Sequence, residues 1–430
     1  MRLLRQHFGP PLLLGLVAAA VGSVQLARAS FWLDEAFSVN LAARPWPGFL
    51  QEITHHEGNQ AAYFVLLKLW PFPHTELGAR SLSVLCTSGT AVTLYFLGVR
   101  LVDRWVGVAA ALMVSTTPFA LQATQEARGY ALLMLASVGC MLALVRAVQQ
   151  GRGWLWWALT AGLLPYVHLY GALVVVGQLP WALRAAPRAK VLSAIAGAGV
   201  LAAPMALWAQ THQHSRQLFF LKAPGLEAIG GALAVLAARS APLLLLLVAA
   251  TALGLGFLAR RPTLALLVVP WLVLTPLVVV VGSHLGTPAY QPRYLAGIAP
   301  ALALLFALGV RSLGALPLRN AALVSLIGLS AVALRGHLGP LLQEDWRSAA
   351  GYLQTQWRTG DTLVGQPCFE RIGLYPYLPG LPPAALDQSC GGSAGREWVV
   401  SRNPQEAPAG HRLASSRRFD RIVVNLYVAT

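Results

Sequence analysis

From Pro10 to about Leu334 the chain is a succession of apolar runs, most of them long enough to cross a lipid bilayer and separated by short polar turns. A spanning helix needs about 20 largely apolar residues. In hydrocarbon its backbone N–H and C=O groups have no water to bond, so they must bond one another. Leu/Ala/Val/Gly runs meet both demands, and few other folds could bury so much apolar surface. Composition agrees: 11% of residues are charged and 56% hydrophobic, whereas soluble domains carry roughly 25% charged residues.

Candidate spans fall at about 10–28, 80–99, 105–121, 129–146, 154–167, 169–183, 190–208, 241–259, 263–282, 294–311 and 320–336. With the N-terminus inside, the inner turns hold Arg2, Arg5, Arg100, Arg104, Arg146, Arg152, Arg184, Arg188, Lys190, Arg260, Arg261, Arg311 and Arg319. Of the 16 Asp and Glu residues, Asp103 alone joins them. This is the positive-inside pattern. It accounts for much of the net charge of +16, so no nucleic-acid partner is read from the charge. About eleven spans place the tail outside, giving two expected domains: a membrane part over 1–336, with a long first outer loop at 29–79, and an outer part over 337–430. Arg2, Arg5 and Ala27-Arg28-Ala29 also resemble a cleavable signal peptide. The apolar stretch is long for a signal core, which favours an uncleaved first span.

The tail has ordinary polarity and reads as a small α/β domain. A helix is expected from Glu344 to about Trp357, with strands at 362–364, 397–401 and 421–428. An amphipathic segment is expected over 226–238. Cys86 and Cys140 sit in spans as small hydrophobes. Cys368 and Cys390 lie in the tail, where the compartment permits pairing and spacing alone does not establish it.

Polar groups gather at the outer ends of the spans. Asp34 and Glu35 follow Phe31-Trp32-Leu33 just past the first span, where adjacent carboxylates are costly unless they bind a proton, a cation or a polar substrate. Glu126 and Arg128 stand at the entry to the fourth span, where a carboxylate also suits a helix N-terminus. Arg293 and Tyr294 open the tenth; the arginine suits an anion, phosphate above all, or snorkels to headgroups. Tyr166, His168 and Tyr170 mark another outer turn. His55-His56-Glu57 and His212/His214 are weak metal candidates without a spaced ligand set. Such placement fits an enzyme taking a lipid-linked anionic substrate better than a lipid or solute transporter, which keeps its ionisable groups near mid-membrane.

The chain resembles the GT-C superfamily of membrane glycosyltransferases, and within it the bacterial relatives of the protein O-mannosyltransferase and aminoarabinose transferase group. The resemblance rests on an ordered set: Trp32-Leu33-Asp34-Glu35, Ala62-Tyr63-Phe64 through Leu67-Lys68-Leu69-Trp70, Ala79-Arg80-Ser81-Leu82-Ser83, and Pro118-Phe119 leading to Gln125-Glu126-Ala127-Arg128-Gly129-Tyr130. Pro292-Arg293-Tyr294-Leu295 and Glu344-Asp345-Trp346-Arg347 follow. Where relatives carry a His or Asp and two prolines, this chain has Glu57-Gly58-Asn59-Gln60-Ala61-Ala62.

The resemblance implies an all-α polytopic protein of the cytoplasmic membrane with a small α/β outer domain. It implies sugar transfer from a polyprenyl-phosphate donor to a glycan, lipid or protein acceptor on the outer face, with inversion. Asp34 would be the general base. Glu35 and Glu126 would orient the acceptor, and Arg128, His168, Arg293 and Tyr294 would hold the donor phosphate. A divalent cation on Asp34 and Glu126 is left open, since members of the superfamily differ in needing one.

Overall fold

The computed structural model describes residues 2–212, 221–286, 288–335, 344–378, 395–402 and 410–430. The side chains of 2–8, His212 and Leu226, and all of His214 and Cys390, lie outside the described set. Contacts divide the chain into two compact units. The first comprises 1–24, 52–63 and 81–336; the second comprises 25–51, 64–80 and 337–430. Most of the expected first outer loop at 29–79, namely 29–51 and 64–79, thus clusters with the tail.

The chain is an integral multi-pass membrane protein. Among the described residues seven helices are long and apolar enough to cross a bilayer: Glu76–Leu101, Tyr130–Gln150, Arg188–Thr211, Ala241–Ala259, Pro262–Leu285, Pro292–Arg311 and Leu316–Arg335. Arg104–Thr116 and Pro118–Thr124, bent by 64°, make an eighth if counted together. The count of about eleven is therefore not reproduced by length alone. Of the other three expected segments, Trp154–Val167 and Gly171–Ala185 are apolar helices that fall short, and the first lies in the 21-residue helix Arg2–Gly22. At 1.5 Å per residue, the 14 residues of Trp154–Val167 reach only about 21 Å. Gly153, in the left-handed region at φ 90°, starts that helix, and extended His168 ends it. The amphipathic segment at 226–238 forms the Leu226–Ala237 helix.

Inside the first unit the stretch Pro292–Arg311 is central. Of its apolar window 83% is buried, against 17% for Leu316–Arg335. It packs closely on Ala241–Ala259, where a Cβ added to Gly309 would stand 1.9 Å from the Ala250 carbonyl oxygen. Small residues let membrane helices approach backbone to backbone, which replaces the missing hydrophobic drive with dispersion. Asp103, the one acid assigned to the inner face, caps the Arg104–Thr116 helix by accepting from Val106 N–H at 2.9 Å. It also accepts from Arg311 Nε at 2.7 Å.

In the second unit a sheet runs in the order β1-β2-β4-β3: β1 (Thr362–Gly365), β2 (Arg396–Ser401), β3 (His411–Phe419) and β4 (Ile422–Ala429). The β1/β2 pair is parallel and the others antiparallel. The Trp346–Gln356 helix buries Trp346, Ala349, Ala350 and Leu353, and Asp345 caps it through Ser348 N–H at 3.0 Å. Its Tyr352 meets Trp398 of β2 edge to face at 5.9 Å. Strand β3 is absent from the expected elements. It is a mostly exposed edge strand reading His-Arg-Leu-Ala-Ser-Ser-Arg-Arg-Phe, so it lacks the apolar alternation that marks a half-buried strand. Cys368 is disulfide-bonded.

Candidate active site

Asp34 and Glu35 lie in the first turn of the Leu33–Ala43 helix in the second unit. Successive residues on a helix point about 100° apart, so the two carboxylates face different surroundings. Glu35 is 0% exposed and paired to Arg80, itself 1% exposed. Arg80 Nε and Nη2 donate to Glu35 Oε1 and Oε2 at 2.8 and 2.6 Å. The same guanidinium donates to the carbonyls of Leu26, Ala29 and Ser30 at 2.7, 2.9 and 3.0 Å. All five N–H groups of Arg80 are thereby used, and the loop before the helix is wound around one buried cation. Asp34 is half-buried. The structure thus commits Glu35 to an internal ion pair and leaves Asp34 as the more accessible acid.

The first unit gathers three segments that are remote in sequence. Tyr130, His168, Tyr170 and Tyr294 form one aromatic cluster. Ring centroids are 6.4 Å apart for Tyr130–His168, 6.2 Å for Tyr130–Tyr294, 5.5 Å for His168–Tyr294 and 5.0 Å for His168–Tyr170. The Arg293 guanidinium lies 5.7 Å from the centroid of Tyr294. Tyr170 O–H donates to the Ala289 carbonyl at 2.5 Å. Glu126 and Arg128 are also buried. Gln122 Nε2 donates to Glu126 Oε1 at 3.2 Å, and Ser83 Oγ to the Glu126 carbonyl at 2.7 Å.

His168 is the informative member. It is 1% exposed, at the turn between the Trp154–Val167 and Gly171–Ala185 helices. Its Nδ1 accepts the Tyr170 N–H at 3.2 Å. That assigns the proton to Nε2, which is buried with no hydrogen-bond partner among the described residues. Burial, reinforced by the nearby Arg128 charge, pushes the imidazole pKa down to about 3. His168 is therefore a neutral N–H donor rather than a cation.

Two amides that sequence reasoning treated only as a departure from relatives hold this cluster. Asn59 Oδ1 accepts the N–H of Leu169 at 3.0 Å, next to His168. Gln60 Oε1 accepts the N–H of Gly129 at 2.9 Å, between Arg128 and Tyr130. Glycine eases the approach: a Cβ at 129 would lie 3.0 Å from Gln60 Oε1 and 3.2 Å from Tyr63 Cβ, so a neighbour would have to give by a few tenths of an ångström. Their only sequence signal is two consecutive amides just before a helix.

Arg128, His168, Arg293 and Tyr294 thus come together in the first unit, with Glu126 buried two residues from Arg128. Asp34 and Glu35 belong to the second. Among the described residues no group of three His, Cys, Asp or Glu side chains is placed to hold a metal ion. His56 Nδ1 instead lies 3.4 Å from Glu52 Oε1, and His55 Nδ1 3.0 Å from Thr54 Oγ1.

The family profile described as dolichyl-phosphate-mannose-protein mannosyltransferase matches residues 61–210. No curated protein matches the chain in sequence. Among solved structures, ArnT from Cupriavidus metallidurans bound to undecaprenyl phosphate superposes with a TM-score of 0.67 at 14% identity, covering 98% of both chains. Its apo form gives 0.66 at 13% identity, covering 97% of this chain and 98% of that one. The Archaeoglobus fulgidus oligosaccharyltransferase in its apo form gives 0.53 at 12% identity, over 90% of this chain and 62% of that one. The chain has the GT-C fold. That fold is ArnT-like, and over residues 61–210 the chain is similar to the protein mannosyltransferase family.

Proposed function

We propose that this chain is an inverting membrane glycosyltransferase that moves a sugar from a polyprenyl-phosphate carrier to an acceptor hydroxyl on the outer face of the cytoplasmic membrane. The observation that carries the reading is a buried, neutral His168 whose Nε2–H has no acceptor among the described residues. It sits among tyrosines with Arg128 and Arg293 close by, in a fold similar to one that holds undecaprenyl phosphate. Such a cluster suits a phosphate on a lipid.

In the proposed reaction Asp34 takes the proton of the acceptor hydroxyl as its oxygen attacks the anomeric carbon. The bond from that carbon to the phosphate oxygen breaks, so the phosphate diester leaves as a monoester with one more negative charge. Arg128, Arg293 and the His168 N–H stabilise that charge, and donors fixed in advance are worth most where charge develops. Tyr294 shapes the pocket. Glu126 orients the acceptor. Glu35 acts through Arg80 by setting the shape of the turn that carries Asp34. The N-terminus is proposed to lie inside, with 337–430 outside.

The test is transfer in nanodiscs from a polyprenyl-phosphate sugar, followed by mass analysis of products. Asp34→Asn should reduce turnover about a hundred- to ten-thousand-fold while the protein stays folded and inserted. Full activity in that variant removes Asp34 from the mechanism. Flux across sealed vesicles without a new glycosidic bond would replace the reading with a lipid or solute transporter.

A further inference from the structure

The Leu33–Ala43 helix starts in an unusual way. Its N-cap is Trp32, whose indole has no acceptor for the free N–H groups of a first turn, where Ser, Thr, Asp or Asn is usual. Glu35 Oε2 accepts the Trp32 N–H at 3.3 Å from within the turn, and residues more than 300 positions away bond the first helical N–H and the segment just before it. Glu344 Oε2 accepts the N–H of Leu33 at 3.0 Å, and the Glu344 carbonyl accepts Ser30 Oγ at 2.5 Å. The Tyr377 phenol accepts the N–H of Phe31 at 2.6 Å. About two helical turns on, Asn40 Nδ2 donates to the Ile372 carbonyl at 3.1 Å.

These partners are themselves fixed. Glu344 also accepts from Trp346 Nε1 at 2.9 Å and from Arg402 Nη1 at 3.2 Å. Arg402 Nε is held by Glu370 at 2.8 Å. The Tyr377 O–H donates to Glu76 at 2.6 Å, and Arg347 Nη2 reaches the same oxygen at 2.6 Å. At the other end of the helix Lys68 Nζ donates to the carbonyls of Ala42 and Arg44 at 3.1 and 2.5 Å.

We propose that Glu344 and Tyr377 are positioning residues for Asp34: the tail supplies the cap of the helix whose first turn carries the base. This rests on the proposed role of Asp34. It gives the tail a part in the chemical step beyond acceptor recognition. Moving a reacting group by about 1 Å can cost about a hundred-fold in rate, and here the Asp34 backbone is set by N–H groups bonded to another part of the chain.

The test combines kinetics with amide hydrogen exchange on full-length protein. Glu344→Ala should lower kcat at least about ten-fold, with the donor KM within about two-fold of wild type because no phosphate contact is touched. Glu344→Gln retains an acceptor oxygen for the Leu33 N–H and should recover most of kcat. Tyr377→Phe, which removes one oxygen and is the milder change if Glu344→Ala does not fold, should lower kcat in the same way. In both damaging variants the amides of Phe31 and Leu33 should lose protection while β2 and β4 keep theirs. Unchanged kcat and protection, or a change in donor KM alone, overturns the proposal. If the wild type transfers no sugar, the reading of Asp34 fails. The exchange data then still decide the cap: protection lost only around 31–35 supports it, and unchanged protection overturns it.

Discussion

The acidic turn of the second unit and the aromatic cluster of the first handle buried polarity in opposite ways. Around Glu35 the polar atoms are matched to excess, with a guanidinium serving two carboxylate oxygens and three carbonyls. Around His168 two amides fix the backbone, and the imidazole Nε2 has no partner among the described residues. A saturated network sets geometry and offers a ligand nothing. An unsatisfied donor carries its desolvation cost in the empty state, and a bound acceptor removes that cost. The contrast separates shaping residues from binding residues more sharply than residue type does.

The sharpest way to break this contrast is at Arg80. Arg80→Ala leaves Glu35 buried and uncompensated, which should destabilise the second unit by about 3–5 kcal/mol. Activity and thermal stability in detergent should fall together. The double variant Arg80→Met/Glu35→Leu should regain much of that stability, since an apolar replacement of a buried pair is often neutral. A stable Arg80→Ala protein would show that the network does not set the turn.

At His168 the expectation is different: binding suffers more than folding. His168→Phe should cut kcat/KM for the lipid donor about ten- to a hundred-fold, the worth of a hydrogen bond to a charged group, and His168→Gln should restore part of it. The imidazole also predicts a pH effect. Its folded pKa of about 3 lies below the ordinary 6.5. Between those values the unfolded chain takes up a proton that the folded chain refuses. Stability should therefore fall as pH drops from about 6.5 toward 3. The slope of melting temperature against pH should flatten in His168→Gln, and an identical slope would remove the buried neutral imidazole from the account.

Gln60→Ala comes next. It strips the acceptor from the buried Gly129 N–H, at a cost of about 1–3 kcal/mol. It should loosen Arg128 and Tyr130, lowering donor kcat/KM a few-fold, with Gln60→Glu keeping an acceptor. This residue also marks how far the sequence could be read. Spans and their polar ends were legible because burial in lipid leaves an unbroken apolar run. Asp34, Glu126, Arg128, His168 and Arg293 stood out as ionisable residues at those ends. Partner choice was not legible: Arg80 meets Glu35 across 45 residues and Gln60 meets Gly129 across 69. No local pattern encodes such pairs, so Glu35 could not be told from Asp34 and the two amides at 59 and 60 stood out only as a departure from relatives. Strand β3 was missed because pairing with β4, rather than an apolar face, makes it a strand.

The mildest test lies in the tail, at Asp361. Its side chain is 1% exposed. It accepts from Arg396 Nε at 2.8 Å and Trp398 Nε1 at 2.7 Å. Burial alone would raise its pKa; the hydrogen bonds from Arg396, Trp398 and the Arg358 N–H outweigh that and hold it below 3.8. A depressed carboxylate stabilises the fold above the unfolded pKa, and that contribution fades as pH falls through the folded value. Asp361→Asn should therefore cost stability at neutral pH and little at strong acid, so that the two melting curves converge once pH has fallen well below the ordinary Asp range. Sugar transfer should change least of all, because among the described residues Asp361 bonds to Arg358, Arg396 and Trp398 of its own sheet region. A large loss of transfer in a well-folded Asp361→Asn protein would mean that a saturated network can also act on substrate, and the contrast drawn from Glu35 and His168 would fail as a guide to function.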